Sequence, residues 1–131
     1  MMTGLDTNIL VRYITKDDLE QGRRAADLLR NLTLESMGYV SLVTLIELVW
    51  VLRSQYRLSK SELIQRLEQL LDSPELIVES HTAVTLALRR YASGKADFAD
   101  CLIERSCAAA GCQETVSFDL DASRFAGMRL L

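Results

Sequence analysis

The chain has 131 residues, 49% hydrophobic and 25% charged, which suits one globular domain with a real core and excludes a disordered chain. Its net charge of −3 argues mildly against a protein that grips nucleic acid by overall charge, although a carboxylate site filled by divalent cation reverses its local sign. Cys101, Cys107 and Cys112 are odd in number and form no CxxC pair, so a disulfide framework and a structural zinc site are both unexpected; they read as reduced thiols in or near the core.

The first segment, MMTGLDTNILVRYI, is apolar but carries Asp6 and Arg12 and has no basic lead, so it is read as neither a secretory signal nor a membrane span. The expected location is the cytoplasm, with no membrane partner. Gly4-Leu5 is a short apolar entry followed by Asp6, and Asn8 to Ile14 begins a helix capped by Asp6 or Thr7. Glu20 to Leu32 reads as a helix with Ala25, Leu28, Leu29 and Leu32 on one face. Tyr39-Val40-Ser41 reads as a buried strand, and Leu45 to Tyr56 as a helix with Leu45, Leu48, Val49 and Leu52 at helical spacing, Trp50 and Val51 being read as core residues sooner than as part of an interface.

Ser59 and Glu62 form a capping box for the next helix, whose inward stripe is Leu63, Ile64, Leu67, Leu70 and Leu71. Asp72-Ser73-Pro74 stops it, and Leu76-Ile77-Val78 is a strand. Thr82 to Tyr91 is helical, with Gly94 in the loop after it. Asp97 to Ala110 is a helix ended by Gly111. Thr115 to Phe118 is a strand, and Met128 to Leu131 a short last one. No repeat or linker interrupts residues 1–131, so a single domain is expected. Alternating strands and helices give an α/β class with a mostly parallel central sheet. In such sheets ligands gather outside the carboxyl ends of the strands.

Four segments place acids where that rule points. Asp6 follows the first strand, Glu47 lies in the first turns after the second, Asp97 and Asp100 open a late helix, and Asp119 follows Val116-Ser117-Phe118. Asp97, Asp100 and Glu104 share one helix face. Clustered carboxylates repel and raise one another's pKa. A hard divalent cation resolves that cost without histidine or cysteine, so Mg²⁺ suits the cluster and a zinc site is disfavoured. Two such ions roughly 3.5–4 Å apart can activate water and stabilise a leaving oxygen in phosphodiester cleavage. Each acid also has a plainer role. Asp6 and Asp97 can be helix caps, Glu47 a solvated helix residue, Glu104 a surface residue, and Asp119 and Asp121 turn formers.

Gly4-Leu5-Asp6-Thr7-Asn8 resembles the opening motif of PIN domains, and Ser41 to Leu48, ending in Glu47-Leu48, their second acidic motif. Ala96-Asp97-Phe98-Ala99-Asp100-Cys101-Leu102-Ile103 resembles the third, and Val116-Ser117-Phe118-Asp119 the fourth. The likeness runs over essentially the whole chain and is closest to VapC-type toxins. It implies a three-layer α/β/α fold, a magnesium or manganese site, endoribonuclease activity on RNA, a homodimer, and inhibition by an antitoxin protein. Carried onto this sequence, Asp6 and Asp100 are the main metal ligands, and Glu47 and Asp119 complete the catalytic set. Thr7, Asn8 and Ser117 support it by hydrogen bonds. Asp100 is preferred to Asp97 because the family aspartate precedes a Leu-Ile pair with one residue between, as in Asp100-Cys101-Leu102-Ile103; Asp97 then caps the helix or assists from the second shell of the site.

The remaining alternatives are a housekeeping RNA-processing nuclease, a phosphoryl-transfer protein with Asp6 as nucleophile, and a non-catalytic interaction module. Against phosphoryl transfer, position 8 is Asn rather than Asp, and no lysine follows Lys95.

Overall fold

Three short parallel strands organise the first part of the chain in the computed structural model, which describes all 131 residues. They are β1 (Thr3–Gly4), β2 (Gly38–Val40) and β3 (Leu76–Val78), in the order β1-β2-β3. Residues α1 (Thr7–Thr15) and α2 (Leu19–Arg30) connect the first pair, and α3 (Leu42–Ser54) and α4 (Lys60–Asp72) the second. Parallel neighbours need such crossovers. Gly38 pairs with Thr3 on one side and Leu76 on the other, and Tyr39 with Gly4 and Ile77. These residues belong to the unit Met1–Glu79; Ser80–Leu131 form a second unit.

Local chemistry explains the element ends. Asp6 caps α1, Asp18 caps α2 through the Gln21 amide, and Ser41 caps α3 through the Thr44 amide. Ser59 and Glu62 form the expected capping box on α4. Leu63, Leu67 and Leu70 of the α4 stripe are buried, while Ile64 and Leu71 are half-buried. Leu45, Leu48 and Leu52 bury the inner face of α3. Two expected core positions lie outward instead. Leu28 is exposed on α2, and Trp50, read as more suited to a core than to an interface, is 61% exposed. The α3 helix is apolar nearly all round, so periodicity chose the Leu45-Leu48-Leu52 face and left Trp50 opposite it.

In the second unit, α5 (His81–Ser93) and α6 (Phe98–Ala109) pack together, with Tyr91 and Phe98 edge to face at 5.7 Å. Strands β4 (Val116–Ser117) and β5 (Arg129–Leu130) pair in parallel around α7 (Leu120–Phe125). The five strands thus hydrogen-bond as a three-stranded and a two-stranded sheet, where the sequence pattern had suggested one run of pairing. Helix α7 replaces the expected turn: Asp119 is its N-cap, accepting from the Ala122 amide, and Asp121 sits in its first turn. Glu104, read as a surface residue, is buried and paired with Arg105. Cys101 is buried and Cys107 half-buried, but Cys112 is exposed, so only the first two fit a core reading.

Gly127 carries φ +82°, and a Cβ there would stand 2.5 Å from the Arg90 guanidinium. Gly127→Ala is expected to cost about 1–2 kcal/mol through left-handed backbone strain, measured by urea denaturation. A cost near zero would show that the turn relaxes freely.

Candidate active site

Thr7 ties two acids of the first unit together. Its backbone N–H donates to Asp6 Oδ1 at 2.7 Å, and its hydroxyl donates to Glu47 Oε1 at 2.8 Å. Asp6 reaches that position because β1 ends at Gly4 and the Leu5 amide donates to Tyr39 O, which delivers Asp6 to the start of α1. Glu47 gets there on the exposed side of α3, opposite buried Leu45, Leu48 and Leu52. Asn8 does not join the pair; it lines a cleft of about 400 Å³ with Ile9, Arg12, Gln21, Arg24, Ala25 and Leu28.

The direction of α3 depends on an acid that the sequence reading passed over. Glu79 directly follows β3, and its Oε1 accepts from the Leu42 amide at 2.8 Å. The rule that singled out Asp6 and Asp119, an acid immediately after a strand, also marks Glu79. An anionic group at a helix N-terminus satisfies an orphan amide and complements the helix dipole.

The second unit gathers Asp97, Asp100, Asp119 and Asp121. Asp97 Oδ1 accepts from the Asp100 amide at 3.2 Å, so Asp97 is the helix cap. Asp119 Oδ1 accepts from the Ala122 amide at 3.1 Å, and the Ser117 hydroxyl oxygen accepts from the Asp119 amide at 2.9 Å. The Asp100 carboxyl is pushed above its ordinary value, first by burial and then by the charges of Asp97, Asp119 and Asp121. Every contribution raises it, and no cation relieves it. Glu104 differs in kind. Its two oxygens meet Arg105 Nε at 2.6 Å and Nη2 at 2.8 Å, and that pairing holds its carboxyl below the ordinary range. The Glu104 carboxylate is therefore neutralised, although it shares a helix face with Asp97 and Asp100.

As donors, the acids suit a hard cation. Both groups consist of carboxylate oxygen, with no histidine or cysteine among them. Asp6, Asp97 and Asp119 each commit Oδ1 to a backbone amide, which leaves the other oxygen outside the cap. The like-charge repulsion on Asp100 is the cost a cation would remove. No ready-made cage exists: no group of three or more His, Cys, Asp or Glu stands in metal-holding geometry.

Parallel strands followed by capping acids place the chain among α/β proteins with acid-lined strand ends. Within that class, the PIN domain family matches residues 4–128, nearly the full length, and the chain belongs to that family. Its fold class is accordingly the α/β/α one expected, with parallel strands and seven helices. PIN domains are generally nucleases, and such nucleases typically use divalent metals. A search of curated proteins finds no match to this chain. No helix is long and apolar enough to cross a membrane.

Proposed function

We propose that this protein is a Mg²⁺- or Mn²⁺-dependent endoribonuclease, with Asp6, Glu47, Asp100 and Asp119 as its metal-holding and catalytic carboxylates. The reading takes residues 1–131 as one nuclease domain, in keeping with a family match that runs through both units. The observation that carries it is the uncompensated Asp100 carboxyl, raised by burial and by three neighbouring aspartates in a chain of a nuclease family. A divalent cation, if held by such carboxylates, would supply Lewis-acid activation of water and of a phosphoryl oxygen.

The chain's own groups set the geometry for that chemistry. Thr7 orients Asp6 with its amide and Glu47 with its hydroxyl. Ser117 fixes the Asp119 backbone. Glu79 anchors the α3 N-terminus and so the helix that carries Glu47. Asp97 caps α6 and adds negative charge beside Asp100.

Purified protein is expected to cut RNA with Mg²⁺ or Mn²⁺ and to stop in EDTA, with Asp6→Asn inactive but folded. Cleavage that persists undiminished in EDTA overturns the assignment. Thr7→Val should lower kcat by about 10–100-fold through misplacement of Glu47, while Thr7→Ser keeps most activity. Equal loss in both variants would remove the orienting role from the hydroxyl.

The likeness of the motifs to VapC-type toxins extends the proposal to a toxin that acts in the cytoplasm as a homodimer and is held by a cognate antitoxin. Expression alone is expected to arrest growth. Co-expression of the small protein encoded beside it is expected to restore growth and to co-purify with the chain. Growth unaffected by active enzyme favours a housekeeping nuclease instead.

A further inference from the structure

The end of α6 brings two cysteines together. Gly111 follows the helix in the left-handed region, at φ +100°. The Cys112 amide donates to Cys107 O at 3.0 Å, and the Gly111 amide donates to Ala108 O at 3.0 Å. These two bonds make a Schellman cap, in which the residue after the glycine closes on one in the last helical turn and their side chains commonly meet. Here both of those residues are cysteines, Cys107 half-buried and Cys112 exposed, each a free thiol. The whole motif lies within the unit Ser80–Leu131.

We infer that Cys107 and Cys112 are a dithiol poised to close as a reversible disulfide, a redox-modification site at the end of α6. The inference does not depend on the nuclease reading. Its physical case has three parts. A disulfide needs Cα atoms within about 7 Å, and a 3.0 Å bond from one amide to the other carbonyl, with the covalent lengths around it, holds these two within about that distance. The cap has already closed the loop between them, so bridging it adds little closure entropy. Access separates this pair from the third cysteine. Cys112 is open to solvent, whereas Cys101 is fully buried, and burial pushes its thiol up.

The chemistry is thiol–disulfide exchange with a small-molecule disulfide such as oxidised glutathione. The Cys112 thiolate attacks one glutathione sulfur, breaks the S–S bond and releases one glutathione thiolate. The Cys107 thiolate then attacks the Cys112 sulfur of the mixed disulfide and releases the second. The cysteine pair gives up two electrons, oxidised glutathione takes them, and two protons pass from the cysteines to the two glutathiones. In a reducing compartment such a pair rests as thiols and closes only as the disulfide fraction of the pool rises. Closure ties the last turn of α6 to the link that leads into β4, just before Asp119.

Trypsin cuts after Lys95, Arg105 and Arg124, so Cys107 and Cys112 share the peptide Ser106–Arg124 while Cys101 leaves on another. The full-length protein, reduced and freed of reductant, is incubated with rising ratios of oxidised to reduced glutathione. Remaining thiols are alkylated in denaturant, and the digest is read by mass spectrometry. Ser106–Arg124 is expected to escape alkylation and to lose two hydrogens, about 2 Da, with dithiothreitol restoring both thiols and Cys101 unchanged throughout. Closure should be about tenfold more favourable in the folded protein than in concentrated urea. Cys107→Ser should instead retain glutathione on Cys112. A lasting glutathione adduct on Cys112 of the parent, a bridge to Cys101 or to a second chain, or no reaction at all overturns the inference. Equal closure in urea overturns it too, because the cap would then contribute nothing.

Discussion

Asp100→Asn is expected to melt at a higher temperature than the parent protein in EDTA at neutral pH, while losing both cleavage and any response to Mg²⁺. Burial and the charges of Asp97, Asp119 and Asp121 raise the Asp100 carboxyl, so folding disfavours its ionised form. The sign follows from proton linkage. A carboxyl whose folded value is raised adds stability while it is protonated. That contribution is complete below the ordinary value of 3.8 and is lost as pH rises through the raised value. The amide removes the charge at every pH, so its advantage should grow as pH rises through that window, level off above it and vanish on acidification below it. Cation binding relieves the same repulsion, so Mg²⁺ should raise the melting temperature of the parent by mass action and leave Asp100→Asn nearly unmoved. Equal Mg²⁺ responses in the two proteins would falsify the metal role of Asp100.

Leu48→Ala should destabilise the fold by about 2–5 kcal/mol, the usual cost of truncating a fully buried leucine. Leu48 has no exposed surface and lies next to Glu47 in sequence on the opposite side of α3. The melting temperature should fall on the order of 10 °C, read by circular dichroism with a chemical-denaturation curve alongside. Glu47 rides on the same helix, so cleavage should decline before global unfolding is complete. A loss below about 1 kcal/mol would mean that α3 collapses onto the void without strain.

Much of this was legible in the residues. Leu76–Val78 appears as the strand expected, because three apolar residues follow the Asp72-Ser73-Pro74 stop. The Ser59 and Glu62 capping box closes as predicted, since both partners are fixed by local spacing. Helix α7 was not legible: it has six residues and buries only Ala122, too little for a periodic signal. Glu104 misled for another reason. Adjacent helix positions point apart, yet the long Arg105 side chain folds back to make two hydrogen bonds with it. Trp50 was drawn inward by its apolar neighbours Val49 and Val51, although α3 had already filled its inner face with leucine. The site divides along the same line. Asp97 as a cap follows from local sequence, whereas Thr7 joining Asp6 to Glu47 needs α1 and α3 brought together across 40 residues of chain.

The contact between Glu79 and the Leu42 amide spans 37 positions, and it bears on how the protein matures during translation. When the ribosome has released α3 but not yet β3, the leading amide of that helix has no carboxylate to receive it. Glu47 then lacks the far anchor of its own scaffold. Fragments that end upstream of position 79 should therefore carry Glu47 on a helix whose first amide lacks its carboxylate partner.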